Sequence, residues 1–402
     1  MSANGMLSPA NEGQARVALL WWLGFILVAF NLRAPILVVG PLVDSLMLQL
    51  QLRPTLISIL TTIPVICFAL ISPLAPGHAA RVGLERAMSL ALMLVMTGAI
   101  LRANGDTLSL LLGTVFIGAG IACGNVYMPT FIKQYWPSKV GAVMGLYSVT
   151  IGLGATLATL TAIPVMNLTQ TWRGPMLIWA VMGMISLVVW LLALRGLAPH
   201  QVNSAARLAL RSVMKSRIAW ALTLFMGCQS LSFYTIQAWL SQYLISRGLT
   251  DHDAAQVLTV INAVTIPVGF IVPQIATRLR QQSGMAILAC SLIGAGMIGA
   301  ILSPQQGVWL WGALIGMGQG ASLSLAFVCM ILRAREVHHS ALLSSMSQSF
   351  GYGLAAFGPL LFGIFHDMTG GWTLAFALLF VALAVQMVAG VICGKAQWVE
   401  VR

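Results

Sequence analysis

The sequence predicts an all-α membrane protein of twelve transmembrane helices, arranged as two six-helix repeats. Three observations carry this expectation. Of 402 residues, 59% are hydrophobic and only 7% charged, with a mean hydropathy of +0.91, whereas a soluble domain is roughly a quarter charged. Apolar runs long enough to cross a bilayer, about 20 residues at 1.5 Å each, recur along the whole chain. A short internal repeat and a central polar stretch divide these runs into two sets.

Taken in order, the polar start Met1 to Arg16 leads into a first run, 18–39. It is longer than a signal-peptide core and has no small-x-small cleavage site, so it is expected to stay as the first span. The runs 55–76 and 86–102 flank a short basic loop, 108–132 and 140–164 flank Lys133 and Lys139, and 174–194 closes the first set. The longest polar stretch, 195–218, holds Arg207, Arg211, Lys215 and Arg217 and reads as a linker between halves 1–194 and 219–402. The second set is 219–241, 253–275, 285–302, 307–332, 340–363 and 372–393. "YSVTIGLG" at 147–154 aligns with "MSQSFGYG" at 346–353, pairing Ser148 with Ser347, Gly152 with Gly351 and Gly154 with Gly353. At nearly the same offset Pro73 pairs with Pro273. Two parallel six-helix repeats describe the major facilitator architecture, in which the substrate site lies between the halves near the midplane.

Orientation follows from the basic residues, which concentrate in cytoplasmic loops of membrane proteins. Placing both termini in the cytoplasm puts sixteen of the 21 basic residues there. Arg53, Arg102, Arg173 and Arg247 fall on the other side, and only Arg33 lies in the interior of a run. All nine acids fall in loops, tails or at helix ends. The net charge of +12 is dispersed between apolar runs and forms no patch for nucleic acid.

The six cysteines lie inside apolar runs with no CxxC pair and no histidines at ligand spacing, which makes them packing residues and implies no metal. Glycines spaced by four, Gly120 and Gly124, Gly141 and Gly145, and Gly312, Gly316 and Gly320, suit close helix packing. No GxSxG elbow, HExxH pair or phosphate-cradling GxxxxGK[ST] loop is present, so the residues offer neither an enzyme active site nor an ATP-driven pump, and no cofactor is expected.

Arg33 is therefore the residue to explain. It lies about 22 Å along the first span. One reading is that it snorkels to the interface beside Asp44. The other is that it anchors an anion, because a guanidinium offers a planar fork of donors and no acid in the spans neutralises it. Pro35 cannot bond the carbonyl of Asn31, so a kinked turn with a free acceptor is expected there. In the seventh span Ser230, Tyr234, Gln237 and Ser241 share one helix face, and in the eleventh Ser345, Gln348, Ser349 and Tyr352 do. Gln237, Gln348 and Tyr352 are read as cavity lining, and the serines as glue between helices. Asn125, Asn262 and Gln319 are single amides that fit either role.

The stretches "NLRAPILVVGPL", "LTTIPVICFALISPLA", "GIACGNVYMPTFIK" and "SMSQSFGYGLAAFGPLLFGIFHD" resemble the cyanate and 2-nitroimidazole transporter family of the major facilitator superfamily, with the nitroimidazole branch closer. The superfamily's acid between spans two and three is missing from "GHAARVGLER". The resemblance implies a secondary transporter of a small anionic or nitrogen-rich organic molecule in a bacterial inner membrane. Arg33 would anchor the substrate, helped by Asn31, Asn125, Tyr234, Gln237, Gln348 and Tyr352. Proton coupling would have no intramembrane carboxylate to use, leaving a substrate carried with its own proton, or no coupling. The resemblance also implies a monomer. The competing readings are a multidrug-type exporter of lipophilic compounds and a membrane sensor that binds without translocating.

Overall fold

The computed structural model describes residues 9–52, 54–195 and 210–399. Most of the expected linker (196–209, with Arg207), Arg53, Glu400 and Arg402 lie outside the described residues, as do the side chains of Glu12, Arg16, Asp44, Arg211 and Asp251. All described regular structure is helical. A chain in hydrocarbon has to satisfy its backbone groups within each segment, and helices do that.

The first span is α1 (Pro9–Asn31) and α2 (Ala34–Leu37), followed by a tight turn Gly40–Leu42 and α3 (Val43–Leu50). The second is α4 (Pro54–Ile71), a tight turn Ser72–Leu74 and α5 (Ala75–Val82). Then come α6 (Leu84–Arg102), α7 (Thr107–Tyr135), α8 (Val140–Thr169) and α9 (Arg173–Leu194). After the short α10 (Leu210–Val213) follow α11 (Arg217–Ser246), α12 (Asp251–Arg278), α13 (Ser283–Leu302), α14 (Val308–Leu332), α15 (Val337–Thr369) and α16 (Thr373–Cys393). Eleven described helical segments are long and apolar enough to cross a membrane. The remaining expected span, the seventh, is α11, which has 30 residues; Gln229, Ser230, Ser232, Thr235, Gln237 and Ser241 lower its hydropathy. Several helices run past the expected ends, α8 to Thr169 and α15 to Thr369.

Glycine packing sets the helix spacing. A Cβ on Gly113 would lie 2.5 Å from the carbonyl of Gly98, and one on Gly98 2.6 Å from that of Gly113, so α6 and α7 touch backbone to backbone. Gly312, Gly316 and Gly320 do the same for α14 against α12. Large apolar side chains such as Leu70, Leu160, Val181, Leu288 and Val381 stay exposed on the outside of the bundle, where lipid replaces water. Where α7 emerges, the Asp106 side chain accepts the Ser109 N–H at 2.8 Å, a cap that holds its carboxyl below the usual carboxylate range.

Helices of the first six spans meet those of the last six in two matching pairings, α8 on α12 and α4 on α15. The hydrogen bonds between these sets lie toward the face that carries the start of α1 and the end of α16, here the terminal face. Ser345 Oγ donates to the Ser72 carbonyl at 2.7 Å, and Ser349 Oγ to that of Ala69. Lys133 Nζ, at the end of α7, donates to the carbonyl of Ile331 at 3.0 Å and to that of Ala334. An ammonium at the carbonyl end of α14 also meets the negative pole of that helix. Gly141 and Gly145 admit the Pro273 and Phe270 backbone of α12 at the same face.

Lys133 therefore acts as a latch. Replacing it by Met is expected to speed hydrogen–deuterium exchange over residues 337–349 roughly tenfold, the effect of losing about 1.4 kcal/mol of charge-assisted bonding. Unchanged exchange there would show that the latch contributes nothing to closure.

Candidate functional site

The site begins with a break in the first span. Pro35 removes a backbone donor, α1 ends at Asn31, and α2 restarts at Ala34 with Arg33 at its N-cap (φ −143°, ψ −37°). The Ile36 N–H donates to the Arg33 carbonyl at 3.1 Å, so the new turn is short and tight. The expected kink is therefore a full interruption.

The guanidinium that serves this break is a different one from that expected. Arg102, expected at the outer end of the run 86–102, is only 2% exposed at the end of α6. Its Nε donates to Thr114 Oγ1 at 3.0 Å and its Nη1 donates to the carbonyl of Pro35. The expectation fails because a run's edge in the sequence does not say whether its last residue turns inward. Here Gly113 leaves the room, since a Cβ on it would lie 2.9 Å from Arg102 Cγ. Arg102 thus ties the irregular turn to the α6–α7 pair and leaves Arg33 free.

Arg33 projects into a cavity of about 400 Å3 between the two sets of helices. Its guanidinium stands 5.2 Å from the ring centroid of Phe233 on α11, a cation–π contact across the cavity. Among the described residues it makes no hydrogen bond and no ion pair, and the ion pairs present are His338–Glu336 and His366–Asp367. Its charge acts electrostatically on Tyr147, Tyr234 and Tyr352, which share the cavity. Two further aromatic contacts cross between the sets, Phe68 with Tyr352 at 4.9 Å and Tyr147 with Phe327 at 5.9 Å. The cavity reaches from these rings toward the face opposite the termini, along Leu37, Thr159, Gln237 and Asn262.

The expected site residues divide. Arg33, Asn125, Tyr234, Gln237 and Tyr352 all line the cavity. Gln237 and Asn262 bond reciprocally, Gln237 Nε2 to Asn262 Oδ1 at 3.1 Å and Asn262 Nδ2 to Gln237 Oε1 at 3.4 Å. Tyr147 OH donates to Asn125 Oδ1 at 3.4 Å. Asn31 and Gln348 do not reach the cavity. Asn31 is fully buried and donates to the Leu27 carbonyl at 2.9 Å and Ser186 Oγ at 2.6 Å, which joins α1 to α9. Gln348 is fully buried and donates to Ser344 Oγ of its own helix at 2.9 Å. Asn31 turns toward α9 at the helix break, and Gln348, one turn from Tyr352 on the same side of α15, lies where that helix packs tightly toward the terminal face. Ser230, read as glue, lines the cavity, whereas Ser345 and Ser349 are glue.

Gln229 and Tyr147 line the cavity and were not singled out by the sequence reading. The α11 lining is Gln229, Ser230, Phe233, Tyr234 and Gln237, a face one step wider than the expected stripe, so the neighbours of a polar stripe were the available signal. Among the lining residues there is no acid and no histidine. The cavity combines one cation, several amides and apolar or aromatic walls, which suits a small planar ligand with negative charge or oxygen-rich acceptors.

The chain belongs to the Major Facilitator Superfamily, whose family model matches residues 21–356. Within it the chain falls in the cyanate and 2-nitroimidazole transporter family. It is 36% identical over 385 residues to the uncharacterized transporter YycB of Bacillus subtilis (strain 168), covering 94% of this chain and 95% of that one. It is 32% identical over 388 residues to the 2-nitroimidazole transporter of Escherichia coli (strain K12), covering 96% and 98%. The cyanate transport protein CynX of the same organism is 24% identical over 355 residues, covering 88% and 91%. The fold matches the E. coli fucose:proton symporter FucP with a TM-score of 0.71 at 16% identity, over 93% of this chain and 98% of that one. It also matches the proton:xylose symporter XylE with a TM-score of 0.72 at 13% identity, over 96% and 97%. The protein is a multi-pass membrane transporter of the superfamily.

Arg102→Met removes both donors from Pro35 and Thr114 and is expected to destabilise the protein by about 1–3 kcal/mol, read as a lower melting temperature in detergent. An unchanged melting temperature would show that the broken span does not need this guanidinium.

Proposed function

We propose that the protein is a secondary transporter of a small, planar, anionic or nitrogen-rich organic molecule across the bacterial inner membrane. The observation that carries this is the Arg33 guanidinium, without a hydrogen bond or ion pair among the described residues, in a cavity with no acidic lining residue. The anion, or a nitro group with its two acceptor oxygens, docks at Arg33 while its ring lies among Phe233, Tyr234 and Tyr352. The names of relatives support the class: besides 2-nitroimidazole and cyanate they include a nitrite extrusion protein of Bacillus subtilis and a putative anionic 4-hydroxy-benzoate permease of Thauera aromatica.

With both termini in the cytoplasm, as the loop charges favour, the latched terminal face is the cytoplasmic one and the cavity serves the outer side. Translocation is then a rocking of the halves 1–194 and 219–402 about the cavity, joined by the linker 195–218. Opening inward breaks the Lys133, Ser345 and Ser349 contacts. The transporter works as a monomer. Without a carboxylate in the cavity, any proton travels on the substrate, and a permanently charged anion moves uncoupled to protons.

Reconstitution into liposomes tests this directly. Wild-type protein is expected to accumulate or exchange labelled cyanate, benzoate or 2-nitroimidazole, and Arg33→Gln to lose at least tenfold in rate, in line with about 1.5–3 kcal/mol for a hydrogen bond to a charged group. Equal rates in the variant would remove Arg33 from the site and favour an exporter of lipophilic compounds. Binding without any flux would favour a sensor.

A further inference from the structure

Most amide groups of the cavity are paired through at least one atom. Ser230 Oγ donates to Gln229 Oε1 at 3.1 Å, which leaves Gln229 Nε2 to donate to Gln319 Oε1 at 3.2 Å. In this arrangement the Gln319 oxygen is the acceptor at the end of the chain, and its amide nitrogen is left as the donor. Its Nε2 has no partner, although Gln319 is only 1% exposed. Of the buried side-chain polar atoms left unpartnered among the described residues, it is the one whose residue lines the cavity. The position is also rigid. A Cβ on neighbouring Gly320 would lie 2.9 Å from the Thr265 carbonyl, so α14 sits hard against α12 here.

We propose that Gln319 is a second ligand anchor, donating to an acceptor atom on the ring of a planar molecule whose negative or nitro group docks at Arg33. The inference rests on the reading of Arg33 given above. A buried donor without a partner is costly, and a ligand acceptor removes that cost. Both polar anchors are then donors, so the ligand is an acceptor at two ends. The site selects against otherwise similar rings that lack the second acceptor, because such a ring leaves the Gln319 amide unpaired. Heteroaromatic carboxylates and nitro-heterocycles belong to the favoured class, and their all-carbon counterparts to the disfavoured one.

Benzoate and the three pyridine carboxylates, picolinate, nicotinate and isonicotinate, share size, shape and charge and differ by one ring nitrogen. Their affinities for the purified full-length protein in detergent are measured by isothermal titration calorimetry. At least one pyridine isomer is expected to bind wild type about tenfold tighter than benzoate, the effect of one hydrogen bond. Gln319→Met is expected to abolish that advantage while keeping benzoate within about twofold, and Arg33→Gln to weaken every member of the set. The wild-type comparison needs no variant to fold. Equal binding of benzoate and all three isomers would overturn the Gln319 anchor and leave Arg33 standing, as would an advantage that survives in Gln319→Met. No binding of any of the four to wild type would overturn the anion reading of the cavity and this inference with it.

Discussion

A charge in a low-dielectric interior has to be paired, solvated or placed where a partner can arrive. In this protein two guanidiniums meet that constraint in different ways. Arg102 is satisfied internally, by Thr114 and the Pro35 carbonyl. Arg33, two residues before Pro35, has among the described residues only the face of Phe233. The two meet at the same break: the proline interrupts the first span, α2 ends two residues later at Leu37, Arg102 takes the Pro35 carbonyl there, and Arg33 at the α2 N-cap projects into the cavity. One interrupted helix thereby sets the places of both a structural cation and the proposed substrate anchor.

The same cavity is where the two sets of helices meet. Its aromatic contacts, Arg33 with Phe233, Phe68 with Tyr352 and Tyr147 with Phe327, all bridge between them. Individually such contacts contribute about a kcal/mol. A ligand that enters among them therefore competes with the interactions that hold the sets together, and it does so next to the one charge it can neutralise. On the terminal side the contacts are hydrogen bonds from short or flexible side chains to helix carbonyls, which separate without leaving a buried charge pair behind. In the proposed transport cycle, substrate binding and closure share these residues and need no titrating carboxylate.

Much of this was legible in the chain. Hydropathy alone gave the span order because lipid imposes a length and an apolar composition on each helix, and Arg33 stood out as the one basic residue inside a run. The glycine spacings marked real backbone contacts. What hydropathy could not give was the direction of each side chain. Asn31 and Arg33 are two residues apart, yet one pins α1 to α9 and the other faces the cavity, because the helix breaks between them. Gln348 and Tyr352, four apart, looked like one face, but the tight packing of α15 buries the first and admits only the second. Arg102 sat at the edge of a run, where the pattern cannot separate a loop arginine from a buried one. Gln229 gained its role from Gln319, a partner 90 positions away, and no local pattern carries that information.

The central claim is that the negative end of a ligand binds at Arg33. The most direct measurement is a structure of the protein with 4-bromobenzoate, whose bromine locates the molecule by anomalous scattering. The account requires the carboxylate within about 3 Å of the Arg33 guanidinium, the distance of a charge-assisted hydrogen bond, with the ring between the cavity's aromatic side chains. Density for the ligand elsewhere in the cavity, with Arg33 still facing only Phe233, would contradict it.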